Sequence, residues 1–249
     1  MAQQPSKNCD VTGRVGVACS RHGCFCPGGS VDLFKGEQQK NVDYAFLKSI
    51  ENIGLKPDQG LLIIYDIACQ YWVHLQKRIG DKLPAGLVIE KAIGMFHVHG
   101  HKDDCFFRFA PSFIPGTAIT SGEILEALWA TLNKISPSMR TASLAHRAEV
   151  LDDHACDSNH KKALNMAVYL CSRKTNAKEK HAHYKLYFLN LCKTFGQQLV
   201  DIWTSAIECA EHALSMREQT MWRRWIFMSQ SLVQDPAVTE LTAGLQTLN

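Results

Sequence analysis

The chain has 249 residues, 46% of them hydrophobic, and a formal net charge of +3, which suits one large domain or a core with an appendage and excludes a disordered chain. No apolar run approaches the ~20 residues a membrane span needs, and the polar opening MAQQPSKN is not a secretory signal, so the sequence reads as soluble and not secreted. Ten irregularly spaced cysteines in so long a chain argue for reduced thiols with a metal site rather than a disulfide framework.

The first element is the β-rich stretch GRVGVACS, residues 13–20. A turn-rich link, RHGCFCPGG, joins it to a second strand over 30–34, giving a hairpin-like antiparallel pair. From Asn41 the period changes. Val42, Ala45, Phe46, Ser49, Ile50 and Ile53 fall on one face at 3.6-residue spacing, so 39–53 is an amphipathic helix, with Gly54 where a C-terminal cap belongs. GLLIIYD, residues 60–66, is apolar on both faces, which predicts a central strand covered on both sides. A helix over 67–79 and a strand or strand-and-turn over 86–96 follow, then the polar, ligand-rich loop HVHGHKDDC at 97–105. Ser121 is placed to cap a helix over 121–135, with Ile124, Leu125, Leu128, Trp129, Leu132 and Ile135 along one side.

After Pro137 strand signals nearly vanish. Helices are predicted over 160–174, 181–218 and 219–233, packed as an appendage on an α/β domain. The division expected is a core over 12–136 and an all-helical region over 137–249. The order of elements in the core is that of a ribonuclease-H-like mixed sheet without its first strand.

Three groups of residues could carry chemistry. Asp66 ends the 60–66 strand, and Glu123 and Glu126 lie one turn apart on the 121–135 helix. Carboxylates converging from separate elements are what two-magnesium phosphodiester chemistry requires. Equally, Asp is a favoured helix cap and Glu in a first turn complements the helix dipole, so the residues alone leave both roles open. The second group is Cys19 and His22, spaced C-x-x-H, with His97, His101 and Cys105, spaced H-x3-H-x3-C, a set from which a structural zinc could draw four ligands. The third is cationic: Arg173, Lys174, Lys178 and Lys180 in one run, and Arg223 and Arg224 inside WRRW. Either could contact DNA phosphates or be a solvated helix end.

The blocks GVACSRHGCF, VDLFKGEQQKNVDYAFL, YDIACQYW, FHVHGHKDDC, GEILEALWATLN and HRAEVLDDHACDSNHKK, in order from about residue 12 to 162, resemble the Kyakuja–Dileera–Zisupton (KDZ) transposases, abundant in fungal genomes. The resemblance implies a ribonuclease-H-like catalytic core, magnesium- or manganese-dependent DNA strand cleavage and transfer by a DDE set of acids, DNA as partner, a nuclear location, and room for a homo-oligomer. It also implies Asp66 as the second acid and Glu126, three residues before Trp129, as the third, with Glu123 as the fallback. The His/Cys loop and the CSRH block recur in the family pattern, which favours zinc. The family's first aspartate lies on a strand ahead of VTGRVGVACSRH, where this sequence offers only Asp10. The expectation is an amino-terminally shortened, inactive copy or a gene model that begins late; the other reading is a non-catalytic DNA-binding or zinc-stabilised interaction domain derived from a transposase.

Overall fold

In the computed structural model, residues 10–117 and 120–215 are described. Strand β1 (Gly13–Ala18) pairs antiparallel with β2 (Phe25–Leu33), with Val15 opposite Val31 and a bulge between Gly16 and Ala18. The second strand begins at Phe25, not Ser30, so CPGG belongs to the strand rather than to the link.

Helix α1 (Gln39–Ile53) buries most of the face its spacing prescribes, including Val42, Ala45, Phe46 and Ile50, while Ile53 at its end is exposed, and Gly54 closes it with a left-handed φ of 61°. This face gathers Tyr71, Leu75 and Ile79 into one cluster, against which Val15 of the hairpin and Leu61 and Ile63 of the next strand also pack. One helix therefore serves both sheets. Each large aliphatic side chain so buried contributes about 1.5–3 kcal/mol.

Strand β3 (Leu61–Ile64) pairs with β4 (Ile89–Ala92) in parallel, from Leu61 opposite Ile89 to Ile64 opposite Ala92. The described strands form two separate two-stranded sheets, β1–β2 and β3–β4. This corrects the expectation of a central, fully covered strand: β3 has one partner, and all four of its residues are half-buried. An apolar run records burial on both faces but not how many strands flank it.

Between these strands the chain folds into α2 (Ala68–Tyr71) and α3 (Leu75–Ile79), separated by a 3-10 turn, where one helix over 67–79 was expected. After β4, the stretch expected to be loop holds α4 (Met95–Val98) and α5 (Asp103–Phe109). Ile93, Val98, Phe109 and Ala110 form a second core cluster with Ala68. Helix α6 (Ile124–Leu132) is shorter than the predicted 121–135, and the short α7 (Ser136–Met139) follows.

Helix α8 (Leu144–Phe195) joins the helix expected over 160–174 to the start of the one expected over 181–218, and Gly196, at φ 78°, breaks the latter before α9 (Gln197–Ser215). The chain divides into two compact units, residues 1–173 and 174–249. Within the first, the start of α8 is fastened to the hairpin. Arg147 and Arg14 both pair with Asp32. Asn159 accepts a hydrogen bond from the Phe25 N–H at 2.8 Å and donates to its carbonyl at 2.9 Å, as a paired strand would. Within the second, Phe195 meets Trp203 edge to face, and Val200 is buried. The helix expected over 219–233 lies outside the described residues.

Candidate metal centre

Asp66 lies in the turn just past the carboxyl end of β3. It does not cap α2: the cap position is Ile67, and no side chain bonds to the first turn. A carboxylate left uncapped at a strand end is available for something else.

Helix α6 brings the other acids. Trp129 stacks over Gly16, where a Cβ would come within 2.7 Å of the indole, so the helix crosses β1 closely. Glu126, one turn earlier on the same helix, reaches the end of β3. The carboxylates of Asp66 and Glu126 and the ring of His97 present ligand atoms all within 4.8 Å of one another. Glu123 sits at the helix cap position and turns back, accepting from the Phe96 N–H at 2.8 Å and lying 3.0 Å from His97 Nδ1. His97 Nε2 is 3.5 Å from Asp66, so one imidazole bridges two acids.

Two glycines permit this approach. Gly122, at φ 78°, places its Cα where a side chain would strike Ile64 Cγ2 at 2.7 Å and Gly94 at 3.1 Å. A Cβ on Gly94 would fall on the Glu123 carboxylate. Glycine is required at 122 if α6 is to start against the end of β3, whereas a side chain at 94 would have to displace the Glu123 carboxylate.

The electrostatics fit a cation site. Partial burial pushes the Asp66 carboxyl above the usual aspartate range; His97 pulls it back, and Glu126 and Glu123 push it further up. Its side chain remains 56% exposed, so solvent tempers that push. A divalent ion would answer the mutual repulsion directly. Two carboxylates with one imidazole suit manganese well and magnesium acceptably.

A second group lies beside the first. Cys69, His101 and Cys105 are half-buried, with ligand atoms all within 4.8 Å of one another. Cys69 Sγ is 3.5 Å from His101 Nδ1. Burial raises the Cys105 thiol, and Cys69 raises it further.

The five residues proposed from sequence for zinc thus separate. His101 and Cys105 join Cys69, His97 joins the acids, and Cys19 and His22 enter neither group among the described residues. Cys19 instead closes the hairpin turn, bonded through its backbone to Gly23 and Cys24, and His22 is half-buried, its Nδ1 enclosed without a hydrogen-bond partner. Cys69 was missed; its signal is its place three residues after Asp66, one helical turn along. Asp10 is in neither group and lines a groove with Thr12, Trp129 and Arg140. Arg173, Lys174, Lys178 and Lys180 are exposed on α8, while Arg223 and Arg224 lie outside the described residues.

The model of the Kyakuja-Dileera-Zisupton transposase family (KDZ) matches residues 1–159. Neither a curated protein nor a solved structure matches the chain.

Proposed function

The chain belongs to the KDZ transposase family, and we propose on that basis that Asp66 and Glu126, with Glu123 behind them, are the acids of a transposase-type metal site. The observation that carries this reading is the convergence of Asp66, His97 and Glu126 within 4.8 Å at the end of a parallel strand. A magnesium or manganese ion held there would polarise a phosphodiester and lower the pKa of an attacking water. The protein's own part is to fix the two carboxylates, with His97 locked between Asp66 and Glu123.

The core we propose is ribonuclease-H-like, over residues 12–136, with a helical region over 137–249. What supports it is the pairing. β1 and β3 each have one strand partner among the described residues, and α1 packs against both. A strand lying between β1 and β3 would join the two pairs into one mixed sheet. The family's first aspartate belongs on such a strand, and the described ligand group holds two acids and a histidine without it. The reading is therefore a DDE transposase homologue that binds a divalent ion but does not cleave DNA by itself. DNA is its partner, through Lys174, Lys178 and Lys180 among others, and the nucleus its place of action.

Manganese binding followed by paramagnetic resonance, with cleavage of supercoiled DNA in magnesium or manganese, tests this. The expected result is manganese binding that weakens at least tenfold in Asp66→Asn and Glu126→Gln, without cleavage. Cleavage that vanishes in Asp66→Ala would overturn the inactivity and keep the site. Manganese binding unchanged by both substitutions would overturn the site.

A further inference from the structure

We infer that Cys69, His101 and Cys105 hold a structural zinc ion, and that this ion positions the neighbouring carboxylate group. The donor chemistry separates the two groups. Two thiolates and an imidazole are soft and borderline ligands that select zinc over magnesium. Zinc bonds of about 2.0–2.3 Å in a tetrahedron set donor atoms roughly 3.3–3.8 Å apart. The Cys69–His101 pair is already at 3.5 Å, and the whole triad lies within 4.8 Å, so a small contraction of side chains completes the cage. Solvent takes the fourth position.

The three ligands come from separate pieces of chain: Cys69 from α2, His101 from the turn after α4, and Cys105 from α5. Each piece is short, with four residues in α2, four in α4 and seven in α5. Helices of this length do not hold themselves in water. An ion bound to all three staples them together.

The connection to the carboxylate group is covalent and short. Cys69 follows Asp66 by three residues, and His101 follows His97 by four. The same two segments supply one member each to both groups. Fixing Cys69 against His101 therefore fixes Asp66 against His97, which stand 3.5 Å apart. In this arrangement Cys69, His101 and Cys105 are positioning residues. Supporting residues around a metal site typically change its affinity by 10–100-fold.

The test takes the full chain purified under reducing conditions. Elemental analysis should find one zinc per chain, and cobalt substitution should give the charge-transfer bands of thiolate ligation. Cys69→Ser and Cys105→Ser should lose the zinc, Cys105→His should keep it, and Cys156→Ser, an exposed thiol elsewhere, should change nothing. Circular dichroism identifies any variant that fails to fold, and Cys105→His, which preserves a ligand, then carries the test. Zinc-free chain without those bands, a Cys69–Cys105 disulfide in place of zinc, or zinc retained in both serine variants would overturn the site. The second arm rests on the metal reading of Asp66 and Glu126: manganese affinity should fall at least tenfold in zinc-depleted protein and return with Cys105→His. Unchanged affinity would overturn the positioning role alone, since zinc content is read without reference to manganese or DNA.

Discussion

Asp43 and Asp66 stand in the same compact unit and meet opposite surroundings. Asp43, on α1, is 6% exposed and accepts three hydrogen bonds: one from the Tyr71 hydroxyl at 2.7 Å, and two from Arg78 at 2.7 and 3.1 Å. Arg78 also lies over the Tyr71 ring and donates to the Tyr71 carbonyl. The Asp43 carboxylate is answered from within the fold, although Arg78 Nη1 is enclosed without an acceptor, and the cluster ties α1 to α2 and α3. Asp66 faces Glu126 and Glu123, with one histidine to share. A buried acid satisfied by protein donors is structural; acids gathered without enough cations await a ligand.

The largest expected effect tests the structural half. Asp43→Ala leaves a half-buried guanidinium and a buried phenol without their acceptor, and should cost about 3 kcal/mol in urea denaturation. Asp66→Asn should cost nothing, or stabilise by a few tenths of a kcal/mol at neutral pH, because it removes repulsion rather than attraction. Equal losses at the two positions would erase the contrast.

The next effect joins fold to site. Gly122→Ala forces a side chain onto a left-handed residue and against Ile64 and Gly94. The expected loss is about 1–3 kcal/mol from strain and overpacking. If Gly122 sets where α6 begins, manganese affinity falls as well, by roughly the 10-fold lower bound for supporting residues. A stability loss with unchanged manganese binding would mean that α6 finds the site without that glycine.

The two regions were also unequally legible in the sequence. Helix α1 and its buried face follow from spacing alone, because the hairpin and β3 both bury the same stripe. Asp43 was not singled out, since an acid within an amphipathic helix reads as exposed until its partner 35 residues away is seen. The convergence of Asp66 with Glu126 was anticipated from the strand end and from the resemblance to the transposase family, which implies the glutamate three residues before Trp129. His97 and His101 were offered to one zinc because H-x3-H is a zinc-ligand spacing. Helix α4 ends at Val98, and the bend after it sends the two rings to different groups. Cys69 was invisible because local spacing records neighbours along the chain, and its partners are 32 and 36 residues away.

The smallest effect is the pH dependence of stability, and its sign is specific. The folded Asp66 carboxyl titrates above its ordinary value of 3.8, pushed there by partial burial, with His97 opposing and Glu126, Glu123 and Glu37 adding to it. A raised acid favours the protonated form in the fold. Its contribution is therefore fully present below the ordinary value and is lost as pH rises through the folded value. Asp66→Asn mimics the protonated state at every pH. The variant's stability relative to the parent should sit near its acid limit below 3.8, climb by a few tenths of a kcal/mol as pH rises above 3.8, and then level off. Manganese reverses the order. It binds the ionised carboxylate, so at ten times its dissociation constant it should stabilise the parent by about 1.4 kcal/mol near neutral pH and Asp66→Asn, bound at least tenfold more weakly, by no more than about 0.4 kcal/mol. Denaturation curves across pH, with and without manganese, read both signs. A variant that is less stable than the parent at neutral pH without metal would place Asp66 with Asp43, as an acid the fold needs for itself.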